Sequence, residues 1–403
     1  MRTRASSGAV RRAFAAAWVI CVLFGVTTPA RAQHQHMPGM AGMEPRWTVT
    51  FDAQAFVSAN IQQRKFTDFH QIESPNWFMV DAARGVRGGA LVATSMFSLE
   101  PYTVRKIGSA QVFQTGESYQ GIALVDYQHP HDLVMGAGLS YEWPAMGATR
   151  VRVEGDLVGA PALGPPAFMH RGSAEPDPTA PLGHHHLDAT HITHGVITGA
   201  VTHGPVTFEA SVFHGREPDE DRIRVELGAL DSYAARLSWQ RGSWQAQVSA
   251  GHLTMPDRTE FTDVTRVTAS VGYSGTWRSR PLDALVAFGG NRETQLHVVS
   301  PAWLAEATWR VTRRDLTYAR AELVDQDVLT LGGYDPAGFA HPHVLSRIGA
   351  LTAGYERQIA HSAAGHVGLG ADATVYRTPE NLLENYGHPF SMHFFLRYRF
   401  KTR

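Results

Sequence analysis

Ser391-Met392-His393-Phe394-Phe395-Leu396-Arg397-Tyr398-Arg399-Phe400, followed by only Lys401, Thr402 and Arg403, is the stretch whose reading decides the fold. Met392, Phe394, Leu396, Tyr398 and Phe400 share one parity, while His393, Arg397 and Arg399, with Phe395 as the one apolar member, share the other. Side chains two apart lie on the same face of a strand, so this segment divides between two different solvents. In a soluble sandwich the apolar face would be a core. Here it stays aromatic to the end of the chain, and comparable segments recur from Trp47 onward.

Val49, Phe51, Ala53, Ala55 and Val57 oppose Thr48, Thr50, Asp52 and Gln54, and Val151, Val153 and Leu157 oppose Arg150, Arg152, Glu154 and Asp156. Tyr233 to Trp239, Trp244 to Ala250, Val267 to Tyr273, Trp303 to Trp309 and Leu316 to Glu322 repeat the pattern. Each is about ten residues long with aromatics near its ends, the length and girdle of a tilted membrane strand. Short links such as Pro144 to Gly147 and His203 to Pro205 alternate with long ones such as Gly159 to Asp188, Gly215 to Gly228 and Val324 to His343. Parity requires one more strand near the start, supplied by Trp77 to Ala83 with a turn at Arg84-Gly85. The fold expected is all-β, an antiparallel up-and-down transmembrane barrel of about sixteen strands, with about fourteen as the alternative. A closed barrel leaves no edge and no backbone group unpaired in lipid.

The chain has 403 residues, with 36 Lys and Arg against 37 Asp and Glu, so no nucleic-acid surface is indicated. No run after the leader reaches the roughly 18 apolar residues of a membrane helix. Arg2, Arg4, Arg11 and Arg12, the apolar stretch Ala13 to Val26 and Ala30-Arg31-Ala32 form a secretory leader over residues 1–32. The single cysteine, Cys21, lies inside it, so the exported chain has no thiol chemistry. Residues 33–46 carry His34, His36, Met37, Met40 and Met43, and residues 47–403 carry the barrel. Thioether and imidazole together favour Cu(I), or Ag(I); the alternative is a tail of accidental composition.

The other candidate ligands are histidines of the long loops: His129, His131, His170, His184, His185, His186, His191 and His194. Imidazole is the commonest nitrogen ligand for Zn and Cu, but Asp188, His191 and His194 alone cannot make a site, because residues three apart on a strand face opposite ways. Convergence has to come from loops meeting in space; the alternative is histidines packed and hydrogen-bonded in loops that cap the pore. The run Arg216 to Arg222 reads as a solvated loop. Gly159-Ala160-Pro161-Ala162-Leu163-Gly164-Pro165-Pro166 is too rich in Pro and Gly for a strand and opens a loop expected to be ordered by packing inside the lumen, although external protease is expected to cut, if anywhere, there or in Val324 to His343. Inward rows of both signs point the same way, to a narrow or partly plugged interior. No catalytic role is expected: His361-Ser362 falls in a turn, Ser391 and His393 face the lumen, and His-Glu-x-x-His is absent.

A C-terminal strand closing on Phe400 resembles the end of Gram-negative outer-membrane barrels, which implies outer-membrane lipid and the barrel assembly machinery as partners and a leader that is cleaved. The Met/His segment ahead of the barrel is similar in layout to copper resistance outer-membrane proteins, which implies metal ions as partners. His129-Pro130-His131-Asp132 and the His184 group also look like those of envelope proteins without assigned activity. Three functions remain open: a barrel for binding, transport or resistance to a copper-like metal; a porin-like channel or transporter for another small solute; or a structural surface barrel.

Overall fold

The computed structural model describes residues 45–259, 261–328 and 345–400. The leader and the His34 to Met43 segment lie outside the described residues. The barrel strands are β1 (Thr48–Arg64), β2 in two pieces (Thr67–Glu73 and Asn76–Val86), β3 (Gly89–Phe97), β4 (Val134–Pro144), β5 (Thr149–Gly159), β6 (Thr193–His203), β7 (Val206–Phe213) and β8 (Ser232–Arg241). They continue as β9 (Trp244–Leu253), β10 (Val264–Trp277), β11 (Arg280–Glu293), β12 (Val299–Trp309), β13 (Asp315–Asp327), β14 (Leu345–Ser362), β15 (Gly365–Arg377) and β16 (Phe390–Phe400). Each pairs antiparallel with its neighbours, and β16 returns to β1 in a register from Gln54 opposite Arg399 to Gln63 opposite Phe390. The result is a closed sixteen-stranded antiparallel barrel.

β2 is broken for a local reason. Pro75 has no N–H for the ladder, so Thr67–Glu73 pairs with the far half of β1 and Asn76–Val86 with the near half. The Phe56 amide donates to the Pro75 carbonyl across the break, at 2.9 Å. The first turn falls at Arg87-Gly88 rather than at Arg84-Gly85. Both residues there have positive φ, 48° and 81°, which suits a two-residue hairpin, and Gly85 stays in the ladder opposite Ala90.

Short turns, among them 87–88, 204–205, 242–243, 278–279 and 363–364, gather at the end that holds Thr48 and Phe400. The other end carries the loops 98–133, 160–192, 214–231, 254–263, 294–298 and 378–389, plus one tight turn at Lys65-Phe66. Burial is inverted relative to a soluble protein. Val57, Leu157, Phe208, Tyr233, Val248, Val286, Trp303, Leu351 and Leu369 are exposed on the outer wall, while Asp52, Asn60, Gln62, Glu209, Glu306, Arg320, Glu356 and Arg397 are buried inside. On β16 the alternation is as read: Phe394 and Leu396 are exposed, and His393, Phe395 and Arg397 are buried. The inward Phe395 packs with Phe56, Leu316 and Tyr318, and Gly370 leaves room for it, since a Cβ there would lie 2.4 Å from the ring.

Phe400 closes the seam at the turn end, with ring centroids 5.5 Å from Phe51 and 6.1 Å from Phe78. A charge near the interface costs a barrel about 0–1 kcal/mol. Phe400→Asp is therefore expected to leave the unfolding midpoint of refolded protein nearly unchanged while reducing the amount assembled in membranes. Normal membrane levels of this variant would show that the terminal aromatic plays no part in assembly.

Candidate functional site

The interior of the barrel is filled by loop 160–192. None of residues 161–192 is exposed, so the protease cut expected in this loop has no accessible substrate. The Pro/Gly-rich opening lies along one side of the wall: the Ala162 and Gly164 amides donate to Ser211 Oγ and Ser249 Oγ, each at 2.8 Å. Gly164 adopts φ +81°, and a Cβ would lie 1.9 Å from the Leu187 carbonyl oxygen, so only glycine lets the two ends of the loop pass so closely.

Charged contacts carry the loop across to the opposite wall. Arg171 donates from Nε to Glu306 on β12 at 2.7 Å and from Nη1 to Asp188 at 2.5 Å. Asp177 lies 3.0 Å from Arg320 on β13, whose Nε is 3.4 Å from Glu306. Glu175 accepts from Arg399 on β16 at 2.6 Å, and its backbone carbonyl accepts from Gln54 on β1 at 3.0 Å. Thr308 donates to the Ser173 carbonyl at 2.8 Å and Gln326 to the Leu182 carbonyl at 2.9 Å. The inward charges read from sequence also pair along the wall: Arg152 and Arg236 both reach Glu209 at 2.8 Å, Arg150 reaches Glu142 at 3.1 Å and Arg397 reaches Glu356 at 2.6 Å.

A second loop, 98–133, shares the closure, which the sequence did not suggest. Asn60 donates to the Ala110 carbonyl at 2.8 Å, the Val112 amide to Gln62 at 3.1 Å and Gln111 to the Ala180 carbonyl of the first loop at 2.7 Å. Phe113 is fully buried and stacks on Tyr386 with ring centroids 4.3 Å apart.

The loop histidines do converge, but mostly on carboxylates. His129 pairs with Glu117, His131 with Glu100 at 2.9 Å, and His184 with Asp188 at 2.7 Å. His185 lies between Glu117 at 3.0 Å and Glu217 at 3.6 Å, and His194 lies 3.3 Å from Asp132. His191 packs against His131 and His184 with ring centroids at 5.5 and 5.3 Å and bonds the Asp188 carbonyl through Nδ1. His186 contacts Ser300 Oγ at 3.0 Å, and His170 packs edge-on against Trp77 at 4.9 Å. Among the described residues no group of three His, Cys, Asp or Glu is arranged to hold a metal ion. The run Arg216 to Arg222 is not simply solvated: besides the contact of Glu217 with His185, Arg222 lies 3.3 Å from the buried Asp132. Glu100, Glu117, Glu175 and Asp177 went unread in the sequence. The signal available was the excess of inward arginines on β16, Arg397 and Arg399 with no acid in the same row, which needs acids from elsewhere when the interior is dry.

Below the loop a cavity of about 160 Å³ remains, running from Pro205, Gln240 and Gln245 at the turn end to Pro161 through Ala167. Arg152, Glu154, Asp156, Glu209 and Arg236 line it. Ser391 and His393 face the interior as read, each bonded elsewhere, Ser391 to Gln62 at 2.5 Å and His393 to Asp372 at 2.7 Å.

Fold and interior together define a transmembrane-type β-barrel whose polar lumen is closed by its own loops. No protein-family model and no curated protein matches the sequence. Solved structures do. The anion-selective porin from Comamonas acidovorans matches with TM-score 0.51 and 11% identity, over 88% of this chain and 100% of the porin. Pseudomonas putida OprB matches with TM-score 0.49 and 9% identity, over 89% and 94%, and OmpT of Vibrio cholerae with TM-score 0.48 and 10% identity, over 93% and 100%. The chain therefore has the fold of a porin barrel, and none of these findings supports the resemblance to copper resistance proteins.

Removing one member of a buried ion pair leaves its partner uncompensated, at a cost of about 3–5 kcal/mol. Arg171→Met is expected to lower the thermal midpoint markedly and to speed hydrogen exchange in 161–192, with Arg171→Met/Glu306→Leu recovering part of the loss. No change in the single variant would show that the pair does not hold the loop. The cap also responds to pH. Burial, with the charges of Arg266 and His185, pushes His186 down to about 3, and burial beside His184 and His131 holds His191 well below 6.5. Both stabilise the neutral cap above the ordinary histidine value, and that stability falls away as pH drops through it toward 3. Burial opposes the charged form of His185, but its hydrogen bonds to Glu117 and Glu217 prevail and raise it to about 10, so its contribution is complete below 6.5 and is lost as pH rises through 10. Exchange protection of residues 184–191 should therefore fall on acidification below about 6 and again toward pH 10. A profile flat from pH 4 to pH 10 would contradict this.

Proposed function

We propose that this protein is a porin-like channel of the Gram-negative outer membrane, shut at rest by loop 160–192, for small polar solutes. The observation that carries the reading is the way the lumen is closed. The loop meets the wall through ion pairs and hydrogen bonds, including those of Arg171, Glu175 and Asp177, and through separate apolar contacts of Phe168 and Met169, Leu163, Leu182 and Leu187. Water can replace the polar contacts one by one, while the apolar contacts, divided among separate clusters, hold the loop in its closed place at rest. The outward apolar wall and its aromatics suit lipid, and the shared fold with a porin supports passage of solutes rather than catalysis. The leader read in the sequence agrees with an envelope location.

In planar bilayers the intact protein is expected to give small or brief conductance steps. Shortening Gly159 to Leu187 should give larger, longer openings. Glu175→Gln/Asp177→Asn, which keeps the loop and removes its charges toward Arg399 and Arg320, should act in the same direction. Large steady conductance from the intact protein, or no increase in either variant, would overturn the reading of the loop as the closing element.

A further inference from the structure

Residues 222–230, in the loop between β7 and β8, carry an apolar strip that none of the described residues covers. Ile223, Val225 and Leu227 share one parity and are 50, 39 and 61% exposed, and Leu230 beside them is 43% exposed. Two of the alternate residues turn the other way: Arg222 lies 3.3 Å from the buried Asp132, and Glu226 pairs with Arg258 of the next loop at 2.5 Å. Backbone contacts pin the segment along the rim. The Leu133 amide, just before β4, donates to the Arg222 carbonyl at 2.7 Å, and the Glu226 amide donates to His194 Nδ1 on β6 at 2.9 Å. Polar groups thus face the protein and apolar ones face away, the same inversion as on the barrel strands and the reverse of a loop built for water.

The strip is continuous with the outer wall. Gly195 shares the outward row of β6 with the exposed Ile197 and Val201, and a Cβ on it would lie 3.5 Å from Leu230 and 3.6 Å from Leu227. β7 ends beside this point, with Phe213 opposite Val196. At eight residues β7 is shorter than the about 9–11 that a tilted strand needs to cross the hydrocarbon. Leu227 and Leu230 therefore continue the apolar band where the wall stops short.

We propose that segment 222–230 is a lipid-contacting strip of the outer leaflet, with Ile223, Val225, Leu227 and Leu230 against the upper part of the acyl chains. This rests on the membrane location read above. Lipid is favoured over a second copy of the chain because the strip prolongs a lipid-facing row instead of forming a separate patch, and added apolar surface matches a short strand to the bilayer. Arg224, exposed and paired with Asp221, is long enough to keep its charge at the level of the headgroups. The test uses full-length protein in a Cys21→Ser background, with Ile223→Cys or Leu227→Cys labelled by an environment-sensitive fluorophore. It is inserted in phosphatidylcholine vesicles in which part of the lipid carries a nitroxide near the head of its acyl chain. Val248→Cys, on the exposed outer row of β9, reports the wall. Nitroxide lipid should quench both strip probes severalfold more than aqueous iodide does, with a loss of intensity comparable to that at position 248. Iodide quenching at 223 and 227 alongside nitroxide quenching at 248 would overturn the strip and leave the membrane location standing. Shielding of 223 and 227 from both quenchers would put a second copy of the chain on the strip and overturn it equally. Absence of nitroxide quenching at 248 would overturn the membrane location, and this inference with it.

Discussion

The structure depends on charge held out of water on the inside of a barrel. Arg171 lies between Asp188 and Glu306, and Glu306 continues through Arg320 to Asp177. Each of these side chains is buried, so each would be costly alone and is tolerable only because its neighbour is present. The chain of pairs runs from loop to wall and back to the loop, which fixes where the loop settles. The histidines at the outer end extend the same logic, with His184, His185 and His131 each against a carboxylate. Between these polar links Phe168, Met169, Leu163, Leu182 and Leu187 pack the loop on apolar patches of the inner wall.

The wall was legible in the sequence because its constraint is local. Lipid outside and polar groups inside impose a period of two on every strand, and β16 shows it even in a ten-residue window. The exception, Phe395, is accommodated by Gly370 on the neighbouring strand, a pairing that no single strand reveals. Turn positions were harder, since Arg84-Gly85 and Arg87-Gly88 are equally plausible as dipeptides and the ladder decides between them. The Pro/Gly-rich start of loop 160–192 announced an ordered segment, and mixed inward charges announced a filled lumen. The partners of those charges were not legible, because Glu175 and Asp177 are far in sequence from Arg399 and Arg320. Loop 98–133 offered no comparable signal, since the stacking of Phe113 on Tyr386 joins residues from two distant loops.

The clustered histidines show how residue type can outrun geometry. Their composition invites a metal reading, and the loops do bring His131, His184 and His191 into ring contact. Nδ1 of each of these three rings is engaged, with Glu100, Asp188 and the Asp188 carbonyl, and among the described residues no group of three His, Cys, Asp or Glu is arranged to hold a metal ion.

The central claim, that loop 160–192 lies inside the lumen, can be tested by crosslinking. Cys21 is the only cysteine of the chain and falls in the segment read as a leader. In a Ser173→Cys/Thr308→Cys variant, whose parent residues meet through a 2.8 Å hydrogen bond, the two introduced thiols would therefore have only each other to react with. Near-complete disulfide formation in native membranes, with the thiol at position 173 shielded from an impermeant maleimide added to intact cells, is the result expected. Free labelling of position 173 from outside, with no crosslink to position 308, would place the loop outside the barrel and contradict the account.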